Sequence, residues 1–245
     1  MKALKLTIIT ATYNAGNHLP KLIDSLAKQS DKDFEWVIAD GNSTDNTLTL
    51  LENAKDILTN IIIDSRQDSG ISDAINRAIK ISTGDYFVII GADDFFYQDT
   101  VLNFKKYLVT YKPDILCAKI LANGKELKVR KPDWLWLYGS STKIACTAIG
   151  TAYKRSLVDK AGYFDTKMQI YADGLFALRA IKSGASIIDV NFIAGEYAIG
   201  GLSNSNPLIS FSEDLRAKLL CGYNLYVQLA LFILRVLKSK NKILS

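Results

Sequence analysis

Two kinds of apolar pattern alternate along the first half of the chain, and this alternation narrows the choice of fold more than any other feature. Residues 5–10, "FEWVIAD" ending at Asp40, "NIIID" ending at Asp64 and "YFVII" beginning at Tyr86 are short runs rich in β-branched and aromatic residues. Between them lie segments with helical spacing. The first carries Leu19, Leu22, Ile23 and Leu26, and the third carries Ile71, Ala74, Ile75, Ala78 and Ile79. The second, "STDNTLTLLENAKDIL", opens on a Ser/Thr/Asp cap cluster. A strand that is apolar at nearly every position must be covered on both faces. Helices between parallel strands supply that cover. The expected fold is therefore α/β: a doubly wound, mostly parallel sheet.

In such sheets ligands bind beyond the carboxyl ends of the strands. Here those ends carry Thr12-Tyr13-Asn14, Asp40, Asp64 and the adjacent pair Asp93-Asp94. Aspartate is also a common cap and turn residue. Several on one rim repel one another, however, and buried unpaired carboxylates are costly. The rim calls for a compensating positive charge, above all at Asp93 and Asp94.

Composition removes several function classes. His18 is the single histidine, which argues against a Ser-His-Asp triad or a His-rich metal site. Cys117, Cys146 and Cys221 have neither metal-ligand spacing nor the density of a disulfide framework, so a reducing cytoplasm is the expected setting. A net charge of +5 suits an anionic ligand or membrane surface and is too small to argue for nucleic acid. The first apolar run reads as a strand and not as a signal peptide. "TATYNAGN" contains no G-x-G-x-x-G for a dinucleotide and no basic Gly-rich loop for a nucleotidyltransferase.

Beyond residue 110 the pattern is less regular. Asn123-Gly124 marks a hairpin turn. "PDWLWLYGSS" reads as an aromatic loop, and "IYADGLFALRAIKSGA" as a helix with Asp173 near its start. One domain is expected over residues 1–206, followed by an amphipathic helical segment over 207–245. Within that segment an apolar stretch from Leu225 to Leu237 is interrupted by Gln228 and Arg235 and followed by a lysine-rich tail. It is shorter than the ~20 residues that span a bilayer. An interfacial helix on the inner leaflet of the cytoplasmic membrane is one expectation. Packing on its own domain, or on a second copy in a homo-oligomer, are the others.

The motifs, taken in order, are "TIITATYNAGNHLPKLIDSLAKQS", "EWVIADGNSTDNT", "DSGISDAINRAI" and "TGDYFVIIGADD". This series resembles the start of family 2 glycosyltransferases with the GT-A fold, in particular those that build bacterial capsule, O-antigen or exopolysaccharide. The resemblance continues weakly through "GYFD", "IYAD" and "YAIGGLS". It implies an inverting hexosyl- or N-acetylhexosaminyltransferase. Such an enzyme moves a sugar from a UDP-sugar to a hydroxyl of a lipid-linked or polysaccharide acceptor. By the same resemblance Thr10, Thr12 and Tyr13 line the nucleotide pocket, and Asp40 accepts the uracil N–H. Asp68, Gly70, Asp73 and Asn76 shape the side of base and ribose. Asp45 caps the helix that follows it.

A D-x-D-like segment reads Gly91-Ala92-Asp93, with Asp93 as the ligand of Mn²⁺ or Mg²⁺ and Asp94 beside it. Gly91 departs from the family pattern. Asp173 is the implied catalytic base. Trp134 and Trp136 are either sugar-stacking or packed aromatics, and Gly200 to Ser203 form a candidate closing loop. Thr147-Ala148 stands where relatives carry His-Gln. The alternatives are a catalytically impaired, nucleotide-binding scaffold of the same fold and, further off, a nucleotidyltransferase.

Overall fold

Leu6 and Ile8 pack on one side of the first strand and Ile9 on the other, and Trp36 and Ile38 alternate with Val37 and Ala39 in the same way. That period of two, buried on both sides, is the mark of a sheet with a core on each face. The computed structural model describes residues 4–128, 133–145, 148–198 and 207–239. Its first half runs β1 (Leu6–Thr12), α1 (Leu19–Ala27), β2 (Glu35–Asp40), α2 (Thr47–Ala54), β3 (Ile61–Ser65), α3 (Ile71–Ile81) and β4 (Tyr86–Ile89). These strands are parallel in the order β3-β2-β1-β4. Their carboxyl ends, and the loops that follow, lie on one rim.

The second half runs β5 (Phe95–Phe96), α4 (Thr100–Tyr111), β6 (Ile115–Ala122), β7 (Lys125–Glu126), α5 (Leu135–Tyr138), β8 (Thr151–Lys154), α6 (Val158–Ala161), α7 (Ala172–Lys182) and β9 (Ile187–Tyr197). It ends in α8 (Pro207–Leu220) and α9 (Leu225–Lys238). Here the sheet becomes mixed. β8 is antiparallel to both β4 and β6, β9 is parallel to β6, and β5 is antiparallel to β9. Asn123 and Gly124 both have positive φ, 49° and 68°, as the β6–β7 turn requires. The aromatic segment expected as a loop instead forms α5 and a 3-10 turn over Gly139–Thr142.

Helices α1, α2 and α4 cover one sheet face through Leu19, Leu22, Leu51 and Phe104. The other face is covered by α3 and α7. Ala217 of α8, with Cys221 and Tyr223 just beyond the helix, joins that second core. Gly222, at φ 78°, ends α8. Asn224 then caps α9 by accepting the Val227 N–H at 3.2 Å.

The β5–β9 pairing matters for the rim, because the chain leaving β9 reaches Asp94. It depends on Gly195, where an added Cβ would lie 2.1 Å from the Phe95 carbonyl oxygen. Gly195→Ala is expected to lower the unfolding free energy by about 1–3 kcal/mol, as overpacking does. Urea denaturation measures this, and an unchanged midpoint would mean that β9 can back away from β5 without cost.

Candidate active site

Two loops at the carboxyl ends of β1 and β2 are laced together. The Asn14 N–H donates to Ser43 Oγ at 2.8 Å, and Asn14 Oδ1 accepts the Thr44 N–H at 2.9 Å. The Ala15 N–H reaches Thr47 Oγ1, and the Gly16 N–H reaches Asp45 Oδ2. Asp45 also accepts the Thr47 N–H at the start of α2, at 3.0 Å. Its hydrogen bonds, that to Thr47 first, hold it below the usual carboxylate range. This bracing leaves the Tyr13 ring standing out from the rim, 68% exposed.

Asp40 sits beneath these loops with no solvent exposure. Its two oxygens accept from Thr12 Oγ1 (2.9 Å), the Ser43 N–H (2.9 Å), Ser43 Oγ (2.5 Å) and Ser65 Oγ (2.8 Å). A carboxylate offers about four lone-pair sites, and all are filled. Burial opposes the charge, but the hydrogen bonds from Ser43, Ser65 and Thr12 outweigh it and keep the pKa low. Thr10 is equally enclosed and accepts the Trp36 indole N–H at 3.0 Å. Thr10, Thr12 and Asp40, expected against the nucleotide, thus form the layer behind the rim.

The side expected to hold base and ribose is organised by Arg77, which the sequence did not single out. Its guanidinium donates to Asp64 Oδ2 at 2.8 Å, Asp68 Oδ2 at 3.2 Å and the Asp40 carbonyl at 3.1 Å. Asp73 reaches back to accept the Ser69 N–H at 3.1 Å, and the Gly70 N–H donates to Asp68 Oδ1 at 2.9 Å, which together fix the start of α3. Gly70 has φ 116°, which a side chain would strain. Asn76 is turned away from the rim. It donates to the Phe164 carbonyl at 2.8 Å and accepts the Phe164 N–H at 2.9 Å, tying α3 to the chain before α7. Asp68 stays near the rim, where it and the Tyr13 ring both approach Gly41.

Ahead of β5 the acid pair divides its work. Asp94 is 2% exposed and accepts the Gly91 N–H at 3.1 Å and the Ala198 N–H at 2.8 Å. Burial pushes its carboxyl up to about 6, against the lowering pull of the Ala198 N–H. No described residue donates a hydrogen bond to the Asp93 carboxylate. Gly91 has a steric reason: a Cβ there would lie 2.7 Å from Asp93 Oδ1 and 2.9 Å from Asp94 Oδ2. Gly91, Ala92, Asp93 and Asp94 line a cavity of about 490 Å³ together with Tyr13 and His18. Among the described residues, no three His, Cys, Asp or Glu side chains converge well enough to hold a metal on their own.

A second cavity of about 520 Å³ lies beside the first, lined by Tyr138, Ser140, Phe211, Asp214 and Arg235. Asp173 lines both cavities, as do Ile170 and Tyr197. Asp173 stands in the first turn of α7 and accepts the Gly174 N–H at 2.6 Å. The approach to that turn is fixed by Glu213 of α8, a second residue the sequence did not single out. Its buried carboxylate accepts the N–H groups of Gln169, Ile170 and Tyr171 at 2.7, 2.8 and 2.8 Å. Burial, with the charge of Asp214 beside it, raises the Tyr171 phenol above its ordinary range. Trp134 and Trp136 stack on each other at 6.2 Å and line neither cavity. Thr147 and the loop from Gly200 to Ser203 lie outside the described residues.

Removing Arg77 would take from Asp68 its ion-pair partner and leave Asp64 with only the exposed Arg66 at 3.3 Å, in a largely buried cluster. Arg77→Met should cost about 3–5 kcal/mol of stability. Urea denaturation checks this, and a loss below 1 kcal/mol, about what a surface ion pair is worth, would deny Arg77 its bracing role.

The family model described as Glycosyl transferase family 2 matches residues 7–179 of the chain. The PGL/p-HBAD biosynthesis glycosyltransferase of Mycobacterium tuberculosis is 29% identical over 234 residues, covering 94% of this chain and 91% of that protein. The poly(ribitol-phosphate) beta-N-acetylglucosaminyltransferase TarS of Staphylococcus aureus is 28% identical over 210 residues, which are 80% of this chain and 35% of TarS. The crystal structure of TarS 1–349 with UDP superposes with a TM-score of 0.71 at 21% identity, over 94% of this chain and 70% of that one. The mannosyltransferase PcManGT from Pyrobaculum calidifontis, in complex with GDP-Man and Mn²⁺, gives a TM-score of 0.64 at 19% identity, over 96% and 75%. The chain is a glycosyltransferase of family 2, with the GT-A fold.

Proposed function

We propose that the chain transfers a hexosyl or N-acetylhexosaminyl group from a UDP-sugar to a hydroxyl of a lipid-linked or polysaccharide acceptor in bacterial surface-glycan synthesis. The observation that carries this reading is the position of Asp173, at the junction of the two cavities. A base that takes a proton from an acceptor hydroxyl must reach both the acceptor and the sugar carbon under attack. A residue lining donor and acceptor cavities together meets that demand.

The first cavity takes the donor. Tyr13 lines it, and the Tyr13 ring and Asp68 both approach Gly41, a combination that suits a base and ribose. Uridine is favoured because solved TarS complexes hold UDP and UDP-GlcNAc. Ala92 and Asp93 lie where the diphosphate would pass, and Asp93 would hold Mn²⁺ or Mg²⁺. The residues fit such an ion: one carboxylate faces the cavity without a described partner, and phosphate and water complete the shell that these cations prefer. When bound, the ion offsets the charge that builds on the departing UDP. Asp94, held by backbone N–H groups, keeps Asp93 in place without competing for the same ligands. Asp40, Thr10, Thr12, Asp73 and Asn76 act from behind, by fixing the loops.

The acceptor enters through the second cavity and Asp173 removes its hydroxyl proton. Attack then comes from the face opposite UDP and inverts the anomeric carbon. Asp173→Asn is expected to keep UDP-sugar binding, read as a thermal shift, and to lower transfer by about 10²–10⁴-fold. Unchanged transfer would remove Asp173 as the base. Binding of UDP-sugar by the wild type with neither transfer nor hydrolysis would favour the scaffold alternative.

A further inference from the structure

α9 is packed with its polar residues inward and its apolar residues outward. Gln228 is buried and donates to the Trp136 carbonyl at 2.9 Å. Arg235 pairs with Asp214 and donates to the Leu137 carbonyl at 2.6 Å. On the far side, Tyr226, Ile233, Leu234 and Leu237 are 79%, 55%, 61% and 65% exposed, and Leu229 is exposed with them. At these spacings the side chains form one continuous stripe along the helix. A contiguous exposed apolar face of this kind marks a contact surface.

We propose that this face of α9 docks on an anionic lipid bilayer. The proposal deepens the functional reading above and rests on it only for the identity of the second cavity. Charge selects the occupant. Residues 225–245 contain Arg235, Lys238, Lys240 and Lys242 and no Asp or Glu. Arg235 is engaged inside, which leaves the lysines to meet anionic head groups. A second copy joined through the same face would bring no acid from its own residues 225–245 to meet these lysines. Length fixes the mode of contact. α9 has 14 residues, and no described helix is long and apolar enough to cross a membrane, so it lies along the surface. Trp134 and Trp136 are exposed and joined to α9 through the Trp136 carbonyl, and indole rings favour the head-group zone. Arg235 on the inner side of α9 also lines the second cavity. Docking would set that cavity one helix diameter, ~10 Å, from the lipid surface, within reach of the sugar or phosphate head of a lipid-borne acceptor.

The test is flotation of the full chain with vesicles of phosphatidylcholine alone and of phosphatidylcholine mixed with phosphatidylglycerol, at low and high salt. The expected result is co-flotation with the mixed vesicles, less with the neutral ones, and less at high salt. The double substitution Ile233→Glu and Leu237→Glu should lower the bound fraction by about tenfold or more. It should leave the melting temperature and lipid-free hydrolysis of the UDP-sugar unchanged, because neither residue lines either of the two cavities described above. A wild-type chain that floats with no vesicle, or a double variant that floats as well as the wild type, overturns the proposal. So does a light-scattering mass of two chains that the double substitution reduces to one, without flotation in either case. Flotation of a wild-type chain that hydrolyses no UDP-sugar supports the docking surface and counts against the assigned reaction alone.

Discussion

Carboxylates crowd the carboxyl rim of the parallel sheet, and most of what surrounds them answers their mutual repulsion. The charge of Asp40 is held by hydroxyl and amide donors from Thr12, Ser43 and Ser65. Asp64 and Asp68 share the guanidinium of Arg77, which is itself held by the Asp40 carbonyl. Asp94 is held by two backbone N–H groups and carries a raised pKa as the cost of burial. Asp93 alone of this group faces a cavity with no described donor. The charge missing at that point is the strongest physical argument for a bound cation.

The other wall of the site follows a different logic. The amides that lead into α7 would be unsatisfied if left buried. Glu213 takes three of them in succession, and so fixes the turn from which Asp173 projects. Beside it, Asp214 draws in Lys218 and Arg235, and both cations also hold the Leu137 carbonyl. The C-terminal helices are thus part of the site's architecture. The polar contacts of α9 are consumed in that work, which is why its apolar residues are left facing outward.

The parallel half of the fold was legible because its signals are local: buried runs of period two, helices of period 3.6, and an Asn-Gly turn. β5, with two residues, is too short to carry a period. Gln228 and Arg235 read in one dimension as interruptions of an apolar stretch. In the structure they are the side of α9 that meets the protein. Of the expected site residues, Tyr13, Ala92, Asp93 and Asp173 do line the cavities. Asn76 does not, because its partner Phe164 lies 88 residues away in the chain and no local pattern announces the pairing. Arg77 and Glu213 were missed for a similar reason. A single charged residue on a helix is ordinarily a solvated one, and only burial reveals the cluster it serves.

The central claim is that a divalent ion held by Asp93 links the acid rim to a uridine diphosphate. Calorimetric titration of UDP into the wild type and into Asp93→Asn, each with and without Mn²⁺, tests it most directly. Mn²⁺ should tighten UDP binding to the wild type by about tenfold or more, or ~1.4 kcal/mol, and should have no such effect on the variant. Equal UDP affinity of the wild type in the presence and absence of Mn²⁺ would contradict the account, as would a Mn²⁺ effect that survives the loss of Asp93.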